Sequence, residues 1–389
     1  MPFYQQRGRI PAKRHVAFRG ENGALYPEHL MGNLGFTGLQ SLLYTLRAPT
    51  AIKHMEQAWV QPRVGEDDPA LRMRHLRTHR LENGGSSPVK DRALLLFNND
   101  LSLALSRPTA ADSFFYRNGQ ADEIVYVTRG SGVLESQFGN LPYRQGDYLV
   151  IPRGIIHRLV PGGDQQIHLV IESRGHVRTP KRYRNAHGQL LEHSPFCERD
   201  IRTPGELVVH DETGDFEIIT RMGETCHRLI MDHHPCDTVG WDGFYYPWAF
   251  NIDDFEPIVG RVHQPPPVHQ TFEGDGFVLC SFVPRLFDFH PEAVPAPYNH
   301  SNVMTDEVLY YCNDEFMSRK EIELGSVTLH PDGLPHGPQP GKAEASIGVE
   351  KTEELAVMVD TFAPLRVARE ALPCEDPDYW RSWIEDGEG

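Results

Sequence analysis

Two histidines and one glutamate, His300, Glu307 and His336, carry the chemistry this sequence offers most directly. Two imidazoles and one carboxylate on one face of a metal ion leave three positions open. That arrangement suits Fe(II) where a substrate and O2 must both reach the ion, whereas a closed set of four Cys or His ligands would hold structural zinc. An internal repeat singles these three out from the chain's 20 histidines.

The segment Asp306-Glu307-Val308-Leu309-Tyr310, followed by Gly325 and then Pro331-Asp332-Gly333-Leu334-Pro335-His336, matches Asp122-Glu123-Ile124-Val125-Tyr126, followed by Gly146 and then Pro152-Arg153-Gly154-Ile155-Ile156-His157. In both copies the histidine lies 11 residues after the first glycine, 5 after the proline and 3 after the second glycine. Each copy reads as a turn glycine, a buried strand, a Pro-x-Gly turn and a histidine opening the next strand. A repeated β unit predicts two similar barrels. One position differs: His300 lies seven residues before Glu307, and Tyr116 lies seven before Glu123. The first copy is therefore expected to hold no metal and to serve packing or subunit contact. Asp306 competes for the carboxylate role. Neighbours in a strand face opposite ways, and the repeat pairs Asp306 with Asp122, which favours Glu307.

The elements that must position these residues are short strands. ALLLFNNDLSLALS, EIVYVT, GVLESQF, DYLVIP and HLVIES, then FVLCSFVP, EVLYY, SVTLHP and LAVMVDTF, are rich in β-branched, aliphatic and aromatic residues and separated by turn residues. That spacing predicts a mainly all-β chain of antiparallel sandwiches or barrels. Residues 1–85 read as an arm or partial strands wrapping a neighbour, and 175–240 as an irregular polar connector. The expected division is 1–240, holding the arm, a non-metal barrel with its core at about 93–175 and the connector, and 241–389, holding the metal barrel and an acidic tail.

The pattern Gly-x5-Pro-x-Gly-x2-His behind a Glu-bearing strand resembles the second conserved motif of the cupin superfamily, small β-barrels or jelly rolls with a metal site in the mouth. Two copies imply a bicupin with few short helices. Further stretches resemble the homogentisate 1,2-dioxygenase family in their order: Leu25-Tyr26-Pro27-Glu28-His29, Val239-Gly240-Trp241-Asp242-Gly243, Tyr246-Pro247, Val262-His263-Gln264-Pro265-Pro266, Phe282-Val283-Pro284-Arg285, Pro297-Tyr298-Asn299-His300 and Pro335-His336-Gly337-Pro338. The resemblance spans most of the chain. It implies an extradiol-type, Fe(II)-dependent enzyme of tyrosine and phenylalanine catabolism that opens homogentisate with O2 to maleylacetoacetate. The His300–Glu307 spacing is one residue longer than in the animal enzymes, and Phe316 stands where they carry a substrate-holding tyrosine.

By the same resemblance His263 is the candidate catalytic base, and a near-neutral imidazole fits that task. His269 and His330 are candidates for lining the substrate site. Arg319 could clamp a substrate carboxylate in bidentate fashion, and Tyr298 could donate a hydrogen bond within the pocket. Related readings are a bicupin dioxygenase acting on gentisate or another aromatic acid, and a bicupin that binds without catalysis. The family implies trimers or hexamers.

Composition narrows the partners. The net charge of −16 repels phosphate backbones and anionic lipids, so neither nucleic acid nor membrane is an expected partner. Six scattered cysteines are not a disulfide framework, and the N-terminus carries no secretory signal, which points to reduced thiols and the cytoplasm. Cys226-His227 and His233-His234-Pro235-Cys236 lack the spacing of a zinc site. Arg72 to Arg80 (RMRHLRTHR) reads as a solvated basic face or a subunit contact.

Overall fold

A computed structural model describes residues 3–67, 69–81, 85–163 and 165–384; the last five residues of the acidic tail lie outside them. The chain is mainly β, with a single short α-helix, Lys342–Ser346, among the described residues. Each of the strand-like runs read from the sequence forms a strand.

The first barrel closes an eight-stranded sheet against a seven-stranded one. At the centre of the former lies Asp122–Arg129, between Asp147–Ile151 and Ile167–Ser173. The second barrel is built on a six-stranded sheet in which Asp306–Tyr311 lies between Ala356–Thr361 and Ser326–His330. All six residues of Asp306–Tyr311 are buried, because both faces are covered. Val308 and Tyr310 pack toward the first barrel in the large common core, while Leu309 and Tyr311 join a separate lumenal cluster with Ile322. Glu307, sharing their parity, points into the lumen.

The repeat is exact in its hydrogen bonds. Gly146 and Gly325 turn at φ +85 and +84, and their N–H groups donate to Val127 O and Tyr311 O, each at 2.8 Å. Positive φ is strained for any side chain, which explains the glycine. Gly154 and Gly333 donate to the carbonyls of Asn118 and Asn302 at 2.8 and 2.7 Å. The repeat mates Tyr126 and Tyr310 meet edge to face at 6.3 Å, as residues on a pseudo-twofold axis must. Thr128 and Tyr310 share a hydroxyl hydrogen bond of 2.7 Å across the same contact.

Three sequence expectations are corrected. Residues 175–240 are not merely irregular: Thr213–Met222 and Thr225–His233 are long strands of the seven-stranded sheet. Their outward positions carry Glu, Arg, His and Asp, which diluted the apolar signal. The arm wraps its own chain: Gln40–Thr45 pairs with Thr238–Gly243, and Ile52–Val60 with Thr225–His233. The arginine-rich stretch is no solvated face. Arg74–Arg77 is a buried strand on the edge of the metal-barrel sheet, beside Ser326–His330. Its charges are met by Glu66 and Glu375 on Arg74 (2.9 and 3.1 Å) and by Asp376 on Arg77 (3.0 Å).

Each barrel also borrows strands. A boundary at residue 240 has Arg74–Arg77 on one side and Trp248–Asn251 and Arg366–Val367 on the other, each hydrogen-bonded into the other half's sheet.

Candidate metal centre

His300 and His336 face each other as an isolated antiparallel bridge, each N–H donating to the other's carbonyl at 2.8 Å. Glu307 rises between them from its strand. Imidazole Nε2 of His300 lies 3.5 Å from Glu307 Oε2, and Nε2 of His336 lies 3.5 Å from Oε1. Among the described residues these three form the only such set, with one ligand atom of each lying within 4.8 Å of the others.

The donor chemistry fits a cation. His300 Nδ1 faces Tyr298 O at 3.2 Å and His336 Nδ1 faces Leu334 O at 3.0 Å. A carbonyl only accepts, so Nδ1 carries the proton and Nε2 presents its lone pair to the common centre. His336 Nε2 is buried without a hydrogen-bond partner, as expected of an atom reserved for a metal. Burial pushes the Glu307 carboxyl up, but the three imidazoles around it, His300, His330 and His336, outweigh it and hold it well below the usual carboxylate range.

Asp306 does something else. Its Oδ1 accepts from Asp332 N (2.8 Å) and its Oδ2 from Leu365 N (2.7 Å). Its mate Asp122 accepts from Arg153 N (2.9 Å) and Val177 N (3.0 Å). Both tie the Pro-x-Gly turn to the loop that leaves the neighbouring strand, Ala356–Thr361 or Ile167–Ser173. Asp306→Ala is expected to lose about 2–4 kcal/mol by stranding two amides while metal stoichiometry is unchanged. Denaturant melts with metal analysis check this; loss of metal with the fold intact would make Asp306 a ligand.

The first barrel shows what replaces the ion. Tyr116 takes the place of His300, pairing with His157 and meeting its ring at 5.5 Å. Arg92 sends both terminal nitrogens to Glu123, at 3.1 and 3.0 Å. Glu172, the cross-strand neighbour of Glu123, takes further cations from Arg221 (2.5 Å) and Arg63 (3.1 Å). A guanidinium fills the position that a metal would take. Asp360 is the counterpart of Glu172, opposite Glu307 in the register. Burial and the nearby Glu307 charge push its carboxyl up to about 7.

The remaining candidates separate into two groups. His263 and Tyr298 line a cavity of about 790 Å³ with Asp288, His290, Asn299 and Pro338; His300, Glu307 and His336 are not among its lining residues. His263 stands edge-on to Tyr298 at 5.4 Å, and Tyr298 to His300 at 6.2 Å. His263 Nδ1 lies 3.7 Å from Asp288 Oδ2. The others are inside. His269 packs on Phe282 at 4.7 Å, and burial lowers its imidazole to about 3, with the Arg285 charge adding to the effect. Arg319, expected as a substrate clamp, is not among the cavity's lining residues. It is buried, donates to Gly337 O at 2.7 Å and to Ser318, and lies over Trp383 at 5.3 Å. His330 is likewise turned to the protein: a carboxylate only accepts, so its Nδ1–H donates to Glu307 Oε1 at 2.8 Å.

A protein of Saccharolobus solfataricus named "Putative dioxygenase SSO1533" is 41% identical over 98% of this chain and 99% of its own length. The family model described as homogentisate 1,2-dioxygenase N-terminal matches residues 103–252. The chain belongs to the homogentisate 1,2-dioxygenase family. The homogentisate 1,2-dioxygenase of Bradyrhizobium diazoefficiens is 27% identical over 70% of this chain, which spans 63% of that enzyme's length. A cupin 2 conserved barrel domain protein from Leptotrichia buccalis has 11% identity over 79% of this chain and 100% of its own, with a TM-score of 0.35.

Sequence reasoning missed Arg92, Glu172, Asp288, Asp360 and Trp383. Asp360 and Glu172 are reachable only through the strand register. Arg92 and Trp383 lie outside the repeat, with no spacing to mark them.

Proposed function

We propose that this protein is an Fe(II)-dependent ring-cleaving dioxygenase that converts homogentisate and O2 to maleylacetoacetate. One observation carries the reading: two imidazoles and a single carboxylate converge from one side, and no fourth acidic, His or Cys side chain among the described residues joins them. Bound there, ferrous iron would bring an aromatic diol and O2 together and allow electron density to pass between them.

The chain's own residues supply the rest. His263 Nδ1 lies 3.7 Å from the Asp288 carboxylate, and Nε2 is the atom that would accept a proton from a ring hydroxyl. Tyr298, between His263 and His300, offers its phenol to the same substrate. The cavity's basic side chains are the imidazoles of His263 and His290, so a substrate carboxylate there meets imidazole rather than guanidinium.

His263→Ala is expected to lower kcat by about 10²–10⁴-fold with the metal content unchanged. Elemental analysis of the same preparation separates the two effects, and loss of metal would remove His263 from the role of base. The activity itself is tested by O2 uptake of ferrous-loaded protein with homogentisate and gentisate. Uptake with homogentisate is expected. Uptake with gentisate alone would reassign the substrate, and uptake with neither would overturn the reading.

A further inference from the structure

The C-terminal turn Tyr379–Trp383 lies beneath the metal centre, where no ligand motif reaches. Trp383 Nε1–H donates to Gly337 O at 3.0 Å, on the residue that follows His336. Arg319 donates to the same carbonyl at 2.7 Å and lies over the indole at 5.3 Å. Gln339 Nε2 donates to Ser382 Oγ at 2.6 Å. The edge of Trp383 meets the ring of His330 at 6.2 Å and 88°. His330 stacks on His336 at 4.5 Å and 18° while donating to Glu307 Oε1. Its other nitrogen, Nε2, is buried without a hydrogen-bond partner. The turn is in turn clasped by the edge strand: His75 packs on Tyr379 at 5.2 Å, and Arg77 pairs with Asp376 at 3.0 Å.

From this geometry we infer that Trp383 is a positioning residue for the metal centre, acting on Glu307 through His330 and on His336 through Gly337 O. The inference rests on the metal reading of His300, Glu307 and His336. Its physical basis is general: groups that hold a ligand's orientation change metal affinity by about 10- to 100-fold when removed. In the first barrel, Ile151 occupies the repeat position of His330, and the cation there is a guanidinium with its own fixed fork. The histidine and the turn beneath it are thus paired with the barrel that offers open ligands.

The test uses the full chain, stripped of metal and titrated with Co(II) against a chelator of known affinity, with the visible ligand-field spectrum as a second readout. Trp383→Ala is expected to weaken Co(II) binding by about 10- to 100-fold and to alter the spectrum. Trp383→Phe, which keeps a ring edge on His330 but lacks the N–H, should recover most of the affinity. Trp380→Ala, on the exposed side of the same turn, should bind as wild type does, and melting of the metal-free proteins reports folding. A wild-type affinity and spectrum in Trp383→Ala would overturn the inference; if that variant does not fold, a wild-type affinity and spectrum in Trp383→Leu, which keeps bulk but removes both the N–H and the aromatic ring, would do so. Failure of the unmodified protein to bind Co(II) would overturn the metal reading and this inference with it.

Discussion

His336→Ala is expected to abolish metal binding and O2 uptake, whereas His157→Ala leaves both in place. The two histidines are repeat mates in matched turns, so the comparison controls for position in the barrel. His336 Nε2 has only the common centre to serve, while the His157 ring lies against Tyr116 in a barrel whose glutamate is already neutralised. Removing one of three ligands should lower activity by about 10³-fold or more, since the ion supplies several kcal/mol of the chemistry. Iron content by elemental analysis and oxygen-electrode rates read both effects. Equal loss of iron from the two variants would contradict a single site.

The largest effect on stability is expected at Arg92. Its guanidinium is buried and bidentate to Glu123, with Glu172 at 3.5 Å. Arg92→Met leaves the buried Glu123 carboxylate without its ion-pair partner and should cost about 3–5 kcal/mol, read as a fall in the denaturant midpoint. Arg92→Lys should not restore the loss, because an ammonium cannot span both carboxylate oxygens. Burial pushes the Glu123 carboxyl up, but the Arg92 charge and hydrogen bonds bring it down from 4.5 to about 2. A depressed folded-state value means that this stabilisation is complete above pH 4.5 and is lost as pH falls toward about 2. Acid melts should therefore show the wild type losing stability across that window, with Arg92→Met already low at its upper end. A variant as stable as wild type at neutral pH would refute the view that arginine stands in for the ion.

Much of the site was legible because it is written twice. The glycines at +84 and +85, the Pro-x-Gly turns and the paired Asp-Glu dipeptides recur at fixed spacing, and the one broken position, Tyr116 against His300, marks the barrel without a metal set. What stayed hidden depends on contacts distant in sequence. Arg74 and Glu375 are joined over 301 residues, so a basic run and an acidic tail each looked solvated. Trp383 and Gly337 are 46 residues apart and no periodicity links them. Arg319 read as a clamp because charge alone does not reveal that the side chain is buried with Nη1 on the Gly337 carbonyl. The strands Thr213–Met222 and Thr225–His233 were masked by polar residues on their outward face.

The most direct measurement is a crystal structure of the ferrous-loaded protein with anomalous data collected at the iron edge. One peak per chain is expected, contacted by His300 Nε2, His336 Nε2 and the Glu307 carboxylate and by no other protein atom. A peak in the first barrel beside Glu123, or a fourth protein side chain bound to the ion, would contradict the account.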